Sequence, residues 1–226
     1  MTATAVDVKQ RILASNQLAA TDLREMFRKS GTLVTNLISS PGSGKTTLLE
    51  VTVAALREGY RVGALEGDIA TELDADRLRR MGIPARQILT GGACHLDARQ
   101  VIRALEEEVA AFKNLDFLFV ENVGNLICPT SYDLGEDFKI VLLSVTEGDD
   151  KPFKYPGIFS KASVTVITKA DLLPHVRFDL DAVREKVSTL NPKGRLLVVS
   201  AQTGEGIVAW LRLLEQELEM KRNPPI

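Results

Sequence analysis

The residues with the plainest chemistry lie in SSPGSGKTT, Ser39 to Thr47, directly after an apolar run and before a helix-like one. Gly42 and Gly44 let the chain turn its N–H groups toward anionic oxygens, and the helix that follows adds the favourable end of its dipole. Read this way, Gly42, Ser43, Gly44 and Thr47 cradle phosphate, Lys45 reaches the β- and γ-phosphates, and the Thr46 hydroxyl binds Mg2+. The full phosphate-loop pattern begins on glycine, where this chain has Ser39. A glycine-rich surface turn is the competing reading, and it leaves the flanking strand and helix without a purpose.

Three later strand ends extend the pattern. EGDIAT, Glu66 to Thr71, brings Asp68 to the Mg2+ shell directly or through water, with Thr71 nearby. ENVGN, Glu121 to Asn125, stands where phosphate-loop enzymes often carry D-x-x-G; here Glu121 is the acid and Gly124 the candidate γ-phosphate sensor. TKAD, Thr168 to Asp171, is followed by SAQT from Ser200. An aspartate in this place accepts from guanine N1–H and from its exocyclic amine, a donor pair that adenine lacks. Thr168 and Lys169 lead into Asp171, while Ser200 and the Ala201 N–H support the base. Threonine replaces the common asparagine, so the bracing that asparagine gives is either missing or supplied otherwise. A charged helix-capping turn accounts for TKAD alone; the ordered set favours GTP and GDP over adenine nucleotides.

A third set is softer. GGACHLDA, Gly91 to Ala98, holds Cys94 beside His95, and Cys128 is the chain's other cysteine. Two thiolates and an imidazole suit Zn2+ or Ni2+. Yet the C-x2–4-C spacing of zinc sites is absent, three ligands leave a tetrahedral ion one short, and free cysteine is commonly buried. Two readings therefore stand from spacing: a metal site, or a turn thiol and a core thiol. Both cysteines follow the nucleotide-side strand ends, where two subunits meeting face to face bring two such sets together. His175, in LLPHVR, reads as a surface loop.

These residues need elements to hold them. Continuous apolar runs at 34–40, 61–67, 115–122, 139–146, 163–169 and 195–201 read as parallel strands covered on both faces. Helix-like segments are Val8–Phe27, Thr46–Glu58, Leu73–Arg80, Asp97–Phe112, Leu180–Leu190 and Ile207–Met220. The sum is an α/β, three-layer domain of P-loop type with a mostly parallel sheet. The 226 residues fit one domain, with residues 1–30 a helical extension. A formal charge of -2 with interspersed signs argues against nucleic acid as a partner. Without an 18-residue apolar run or a secretory leader, the expected location is the cytoplasm, with no membrane span and both thiols reduced.

Taken jointly, SSPGSGKTT, EGDIATELDADR from Glu66, GGACHLD from Gly91, ENVGNLICP from Glu121 and EGDDKPFKYP from Glu147 resemble the HypB-type hydrogenase nickel-incorporation GTPases. These belong to the P-loop GTPases that dimerise around nucleotide, and the resemblance spans nearly the whole chain. It implies slow GTP hydrolysis and a subunit-interface site for Ni2+ or Zn2+ built from Cys94, His95 and Cys128. It further implies a homodimer formed through the nucleotide face, a HypA-type metallochaperone as partner, and the [NiFe]-hydrogenase large subunit as destination. Asp74, Lys151 and Lys154 complete the site or bridge subunits on this reading. Two departures stand out: TKAD replaces NKAD, and the chain has neither the CxxCGC motif nor the histidine-rich stretch found in some members. A nucleotide-dependent kinase or urease-type maturation GTPase of the same fold, and a non-catalytic, GTP-dependent assembly switch, are the rival readings.

Overall fold

The computed structural model describes residues 5–68 and 73–224. Among the described residues, seven strands form one sheet: β1 (Leu33–Ser39), β2 (Val62–Asp68), β3 (Ala85–Leu89), β4 (Phe117–Glu121), β5 (Phe138–Ser144), β6 (Val164–Thr168) and β7 (Arg195–Val198). Their order is β3-β2-β4-β1-β5-β6-β7, and every pairing is parallel. Parallel neighbours need crossover connections, which here run through helices. All the carboxyl ends of the strands therefore lie on one rim, where sites form in open α/β sheets. β1 is the central strand, buried along its whole length.

The helices are α1 (Ala5–Ser30), α2 (Lys45–Leu56), α3 (Leu73–Arg80), α4 (Ala98–Glu107), α5 (Val109–Phe112), α6 (Lys151–Lys154), α7 (Pro156–Lys161), α8 (Leu180–Leu190) and α9 (Ile207–Arg222). One core layer joins α2 and α9 to the sheet, with Trp210 fully buried and its Nε1 donating to Thr52 Oγ1 at 2.8 Å. A second layer joins α1 and α4 to Leu65, Leu118 and Val120. A third packs α7 and α8 on β5 and β6. α1 packs by its second half: Asn16, Ala19, Ala20, Leu23 and Phe27 are buried, while Ile12 and Leu18 are exposed.

Two departures from the sequence reading have physical causes. β3 was not among the expected strands, because ARQIL carries Arg86 and Gln87 on a short edge strand rather than a continuous apolar run. The helix expected over Asp97–Phe112 breaks at Glu108, where Arg86 pairs with both Glu107 and Glu108. At the rim opposite the strand ends, the last turn of α9 fastens the start of the sheet. Lys221 Nζ donates to the Thr32 carbonyl and to Asp137, both at 2.6 Å. Arg222 donates to the Gly31 carbonyl at 3.1 Å and to Asp116 at 2.6 Å. Among the described residues, no helix is long and apolar enough to cross a membrane.

Candidate functional site

The phosphate loop leaves β1 at Ser39 and enters α2 at Lys45. Gly44 caps that helix at φ 89°, a left-handed conformation that favours glycine. The hydroxyl of Ser39 is used inside the loop: it accepts from Ser43 Oγ at 2.5 Å and from Lys45 Nζ at 2.8 Å. Lys45 is buried, and its Nζ lies 3.9 Å from Glu121 Oε1. Thr46 Oγ1 donates to the same oxygen at 3.1 Å.

Glu121 closes β4 and stands in register with Glu66 on β2. Both carboxyls are buried, and one oxygen of each, Glu66 Oε1 and Glu121 Oε2, has no hydrogen-bond partner among the described residues. Burial raises both pKa values; the neighbouring Glu121 raises that of Glu66 further, while Lys45 and the Thr46 hydroxyl pull against the rise at Glu121. Partnerless carboxylate oxygens beside a threonine hydroxyl fit a hard divalent cation with oxygen ligands. Asp68, Asp74, Thr46 and Glu121 line the same cavity as Pro41–Thr47 and Gly124. Gly124 is pressed against the loop: a Cβ there comes within 2.9 Å of the Pro41 ring. Thr71, expected nearby, lies outside the described residues. Asp74 pairs with Arg77 at 3.2 Å. Lys151 and Lys154 pair within their own segment, with Glu147 and Asp150, and neither lines this cavity.

The base end is tied to the phosphate loop by side chains. Thr168 Oγ1 donates to the Ser43 carbonyl at 2.6 Å, and Lys169, at φ 58°, donates from Nζ to the Gly42 carbonyl at 2.7 Å. The threonine hydroxyl thus supplies a brace between the two loops in place of asparagine. Ser200 Oγ accepts from the Thr203 N–H at 3.1 Å and donates to Asp171 Oδ1 at 2.5 Å. Thr47, Thr168, Lys169, Asp171 and Ala201 line one pocket, beside the phosphate cavity.

Cys94, His95 and Cys128 come together: a ligand atom from each lies within 4.8 Å of the others. The two Sγ atoms are 2.7 Å apart, and Cys94 Sγ is 3.6 Å from His95 Nδ1. All three residues are half-buried. Burial lowers the His95 pKa, against the opposing charge of Asp97, which favours the neutral ring that a metal requires. The shared hydrogen bond with Cys94, and then burial, raise the Cys128 thiol. The His95 ring lies 3.8 Å from that of Tyr132, centroid to centroid. Asn125 Oδ1 accepts from the N–H groups of Ile127 and Cys128, at 2.7 and 3.2 Å. His175 is exposed at the end of its turn.

Several supporting residues escaped the sequence reading. Asn16 of α1 accepts from the Ala98 N–H at 2.9 Å and donates to the Asp133 carbonyl at 2.8 Å, so one side chain holds segments beside both arms of the triad. Arg24 adds a two-pronged contact with Asp133 at 2.7 and 2.8 Å. Glu66 and Asn125 left a trace, as ends of the EGDIAT and ENVGN stretches. Polar contacts such as those of Asn16 and Tyr132 leave no period in a sequence.

Residues 33–198 match the model of the CobW/HypB/UreG nucleotide-binding domain. The hydrogenase maturation factor HypB of Azotobacter chroococcum mcd 1 is 46% identical over 214 residues, which covers 94% of this chain and 69% of that protein. The chain belongs to the HypB family. Membership places it among the P-loop GTPases, enzymes that hydrolyse GTP, and accounts for the parallel sheet with helices on both faces. The hydrogenase/urease maturation factor HypB of Helicobacter pylori is 42% identical, covering 96% of this chain and 89% of that one. A crystal structure of HypB from Helicobacter pylori in complex with nickel superposes with a TM-score of 0.85 at 41% identity, covering 92% of this chain and 96% of that one.

Proposed function

We propose that this chain is a GTP-hydrolysing metallochaperone that carries nickel toward a [NiFe]-hydrogenase large subunit and holds it at Cys94, His95 and Cys128. The observation that carries the reading is the segment 121–128. It contributes Glu121 and Gly124 to the phosphate cavity and Cys128 to the thiol–imidazole cluster. One stretch of backbone serves both chemistries.

Lys45 and the amides of Gly42 to Thr47 neutralise charge that develops on the transferring phosphoryl group. Thr46 and Asp68 hold Mg2+, which neutralises β- and γ-phosphate charge when bound, and the buried acids Glu121 and Glu66 support it. The Gly124 N–H senses the γ-phosphate. Thr168, Lys169, Asp171, Ser200 and Ala201 read guanine. Three ligands from one subunit leave a nickel or zinc ion open, which suits release of a cargo better than a closed structural site does. Two subunits meeting through the nucleotide face bring two such triads together, and GTP and its loss govern that meeting. The chain works as one domain with the helix Ala5–Ser30 as an extension, in the cytoplasm, with a HypA-type metallochaperone as partner. The name of the Helicobacter pylori relative favours a second destination, a urease.

The test is a titration of Ni2+ and Zn2+ into wild type and Cys128→Ala, with GDP or a non-hydrolysable GTP analogue, followed by thiolate charge-transfer absorbance and a sizing column. Wild type binds and shifts to dimer with the GTP analogue; equal metal binding by the two proteins sinks the ligand assignment. Phosphate release by wild type at or below that of Lys45→Ala sinks the catalytic one.

A further inference from the structure

Asn122 is almost fully buried between the two sites, and its side chain makes three hydrogen bonds, two of which join them. Its Oδ1 accepts from the Val123 N–H at 3.0 Å and from the Leu96 N–H at 3.1 Å. Its Nδ2 donates to Asn36 Oδ1 at 3.2 Å. Val123 leads into Gly124, which is packed on Pro41 of the phosphate loop. Leu96 follows His95 directly and is itself fully buried against Gly67: a Cβ there comes within 2.8 Å of the leucine side chain. Asn36, on the central strand, donates in turn to Glu136 at 3.2 Å, so the relay is anchored in the sheet.

We propose that Asn122 is the positioning residue that carries nucleotide-dependent movement of Val123–Gly124 to the His95 arm of the cargo site. The proposal rests on the reading that nickel binds at Cys94, His95 and Cys128. The physical argument is stiffness. N–H···O hydrogen bonds span about 2.7–3.2 Å and weaken steeply when bent, so the Leu96 contact at 3.1 Å has little room to lengthen or tilt. Asn122 and Leu96 are buried, and a buried donor left without its partner is costly. Val123 and Leu96 share one acceptor atom, so one cannot move without the other following or a bond being lost. The Cys128 arm is already fixed to the same segment by Asn125. With Asn122 the distant arm is fixed to it as well, and both halves of the triad respond to what the phosphate loop holds.

The experiment measures the Ni2+ dissociation constant by thiolate absorbance in the presence of GDP and of a non-hydrolysable GTP analogue. The ratio of the two is the coupling, expected in wild type to be about five-fold or more, the lower end of ordinary allosteric coupling. Asn122→Ala brings the ratio to within two-fold of one while the GTP analogue still binds. Asn36→Ala removes a neighbouring buried hydrogen bond yet leaves both N–H contacts of Asn122 in place, so it keeps the coupling. A wild-type ratio in Asn122→Ala, or equal loss in both variants, overturns the proposal. A ratio of one in wild type instead overturns the nucleotide-governed cargo reading beneath it. Amide hydrogen exchange on wild type needs no variant that folds: the Leu96 and Val123 amides change protection together when the GTP analogue replaces GDP. Change at Val123 with none at Leu96 also overturns it.

Discussion

Replacing Asp171 by asparagine tests how the base is read. Ser200 Oγ already accepts from the Thr203 N–H, so its own proton points to Asp171 Oδ1, 2.5 Å away. In Asp171→Asn that proton still requires an acceptor, which fixes the amide oxygen beside Ser200 and turns the amide NH2 toward the base. Guanine then presents a donor to a donor. Hydrogen bonds to a charged group contribute about 1.5–3 kcal/mol each, so losing one and opposing two donors costs about 3 kcal/mol. At roughly 1.4 kcal/mol per decade, GTP affinity falls by about 100-fold. Xanthine carries a carbonyl where guanine carries its amine, so XTP gains affinity in the same variant. Competition of GTP and XTP against a fluorescent guanine nucleotide measures both numbers. If Asp171→Asn keeps GTP affinity within about three-fold of wild type, or gains nothing for XTP while its melting curve is unchanged, the recognition scheme is wrong.

Thr168→Val preserves shape and removes the hydroxyl that donates to the Ser43 carbonyl; stability falls by about 1 kcal/mol in urea unfolding, and GTP binding weakens. Gly124→Ala forces a methyl to within 2.9 Å of Pro41; overpacking of this kind costs about 1–3 kcal/mol, and the displaced loop slows phosphate release in a single-turnover assay. Asp116 answers to acid. Burial alone raises its pKa, but the Arg222 guanidinium and the Arg61 N–H outweigh it and hold the carboxyl below its ordinary value. A lowered folded-state pKa stabilises above the ordinary carboxylate range and loses that contribution as pH falls through the lowered value. Below about pH 4, wild-type stability in urea therefore declines more steeply than that of Asp116→Asn, by up to about 1.4 kcal/mol per pH unit for this one group.

What the sequence disclosed followed from locality. The phosphate loop was readable because strand, glycines, lysine and helix are contiguous, so neighbouring letters carry the whole geometry. Six of the seven strands showed as continuous apolar runs, which covering on both faces demands. β3 did not, since an edge strand tolerates Arg86 and Gln87 and leaves no such run. The three candidate metal ligands were visible as types, yet spacing left both a metal site and two unrelated thiols open; their convergence depends on β3 and β4 both flanking β2. Thr168 illustrates the harder limit. Its substitution for asparagine was plain, but whether the brace survived depended on the Ser43 carbonyl, 125 positions away. Asn16 and Asn122 were silent for the same reason, because a buried amide has no period.

The clasp between α9 and the first strand bears on how the molecule comes into being. Lys221 and Arg222 fasten Gly31, Thr32, Asp116 and Asp137. A ribosome makes the central strand and the phosphate loop early, but residue 222 nearly two hundred codons later. Through that interval the nascent sheet lacks its final clasp and the Trp210 face that covers it. Contacts so distant along the chain slow folding and lengthen the exposure of sticky intermediates. Truncating the last turn of α9 therefore does its harm during synthesis, as lost yield, at the rim opposite the phosphate loop and the thiol–imidazole cluster.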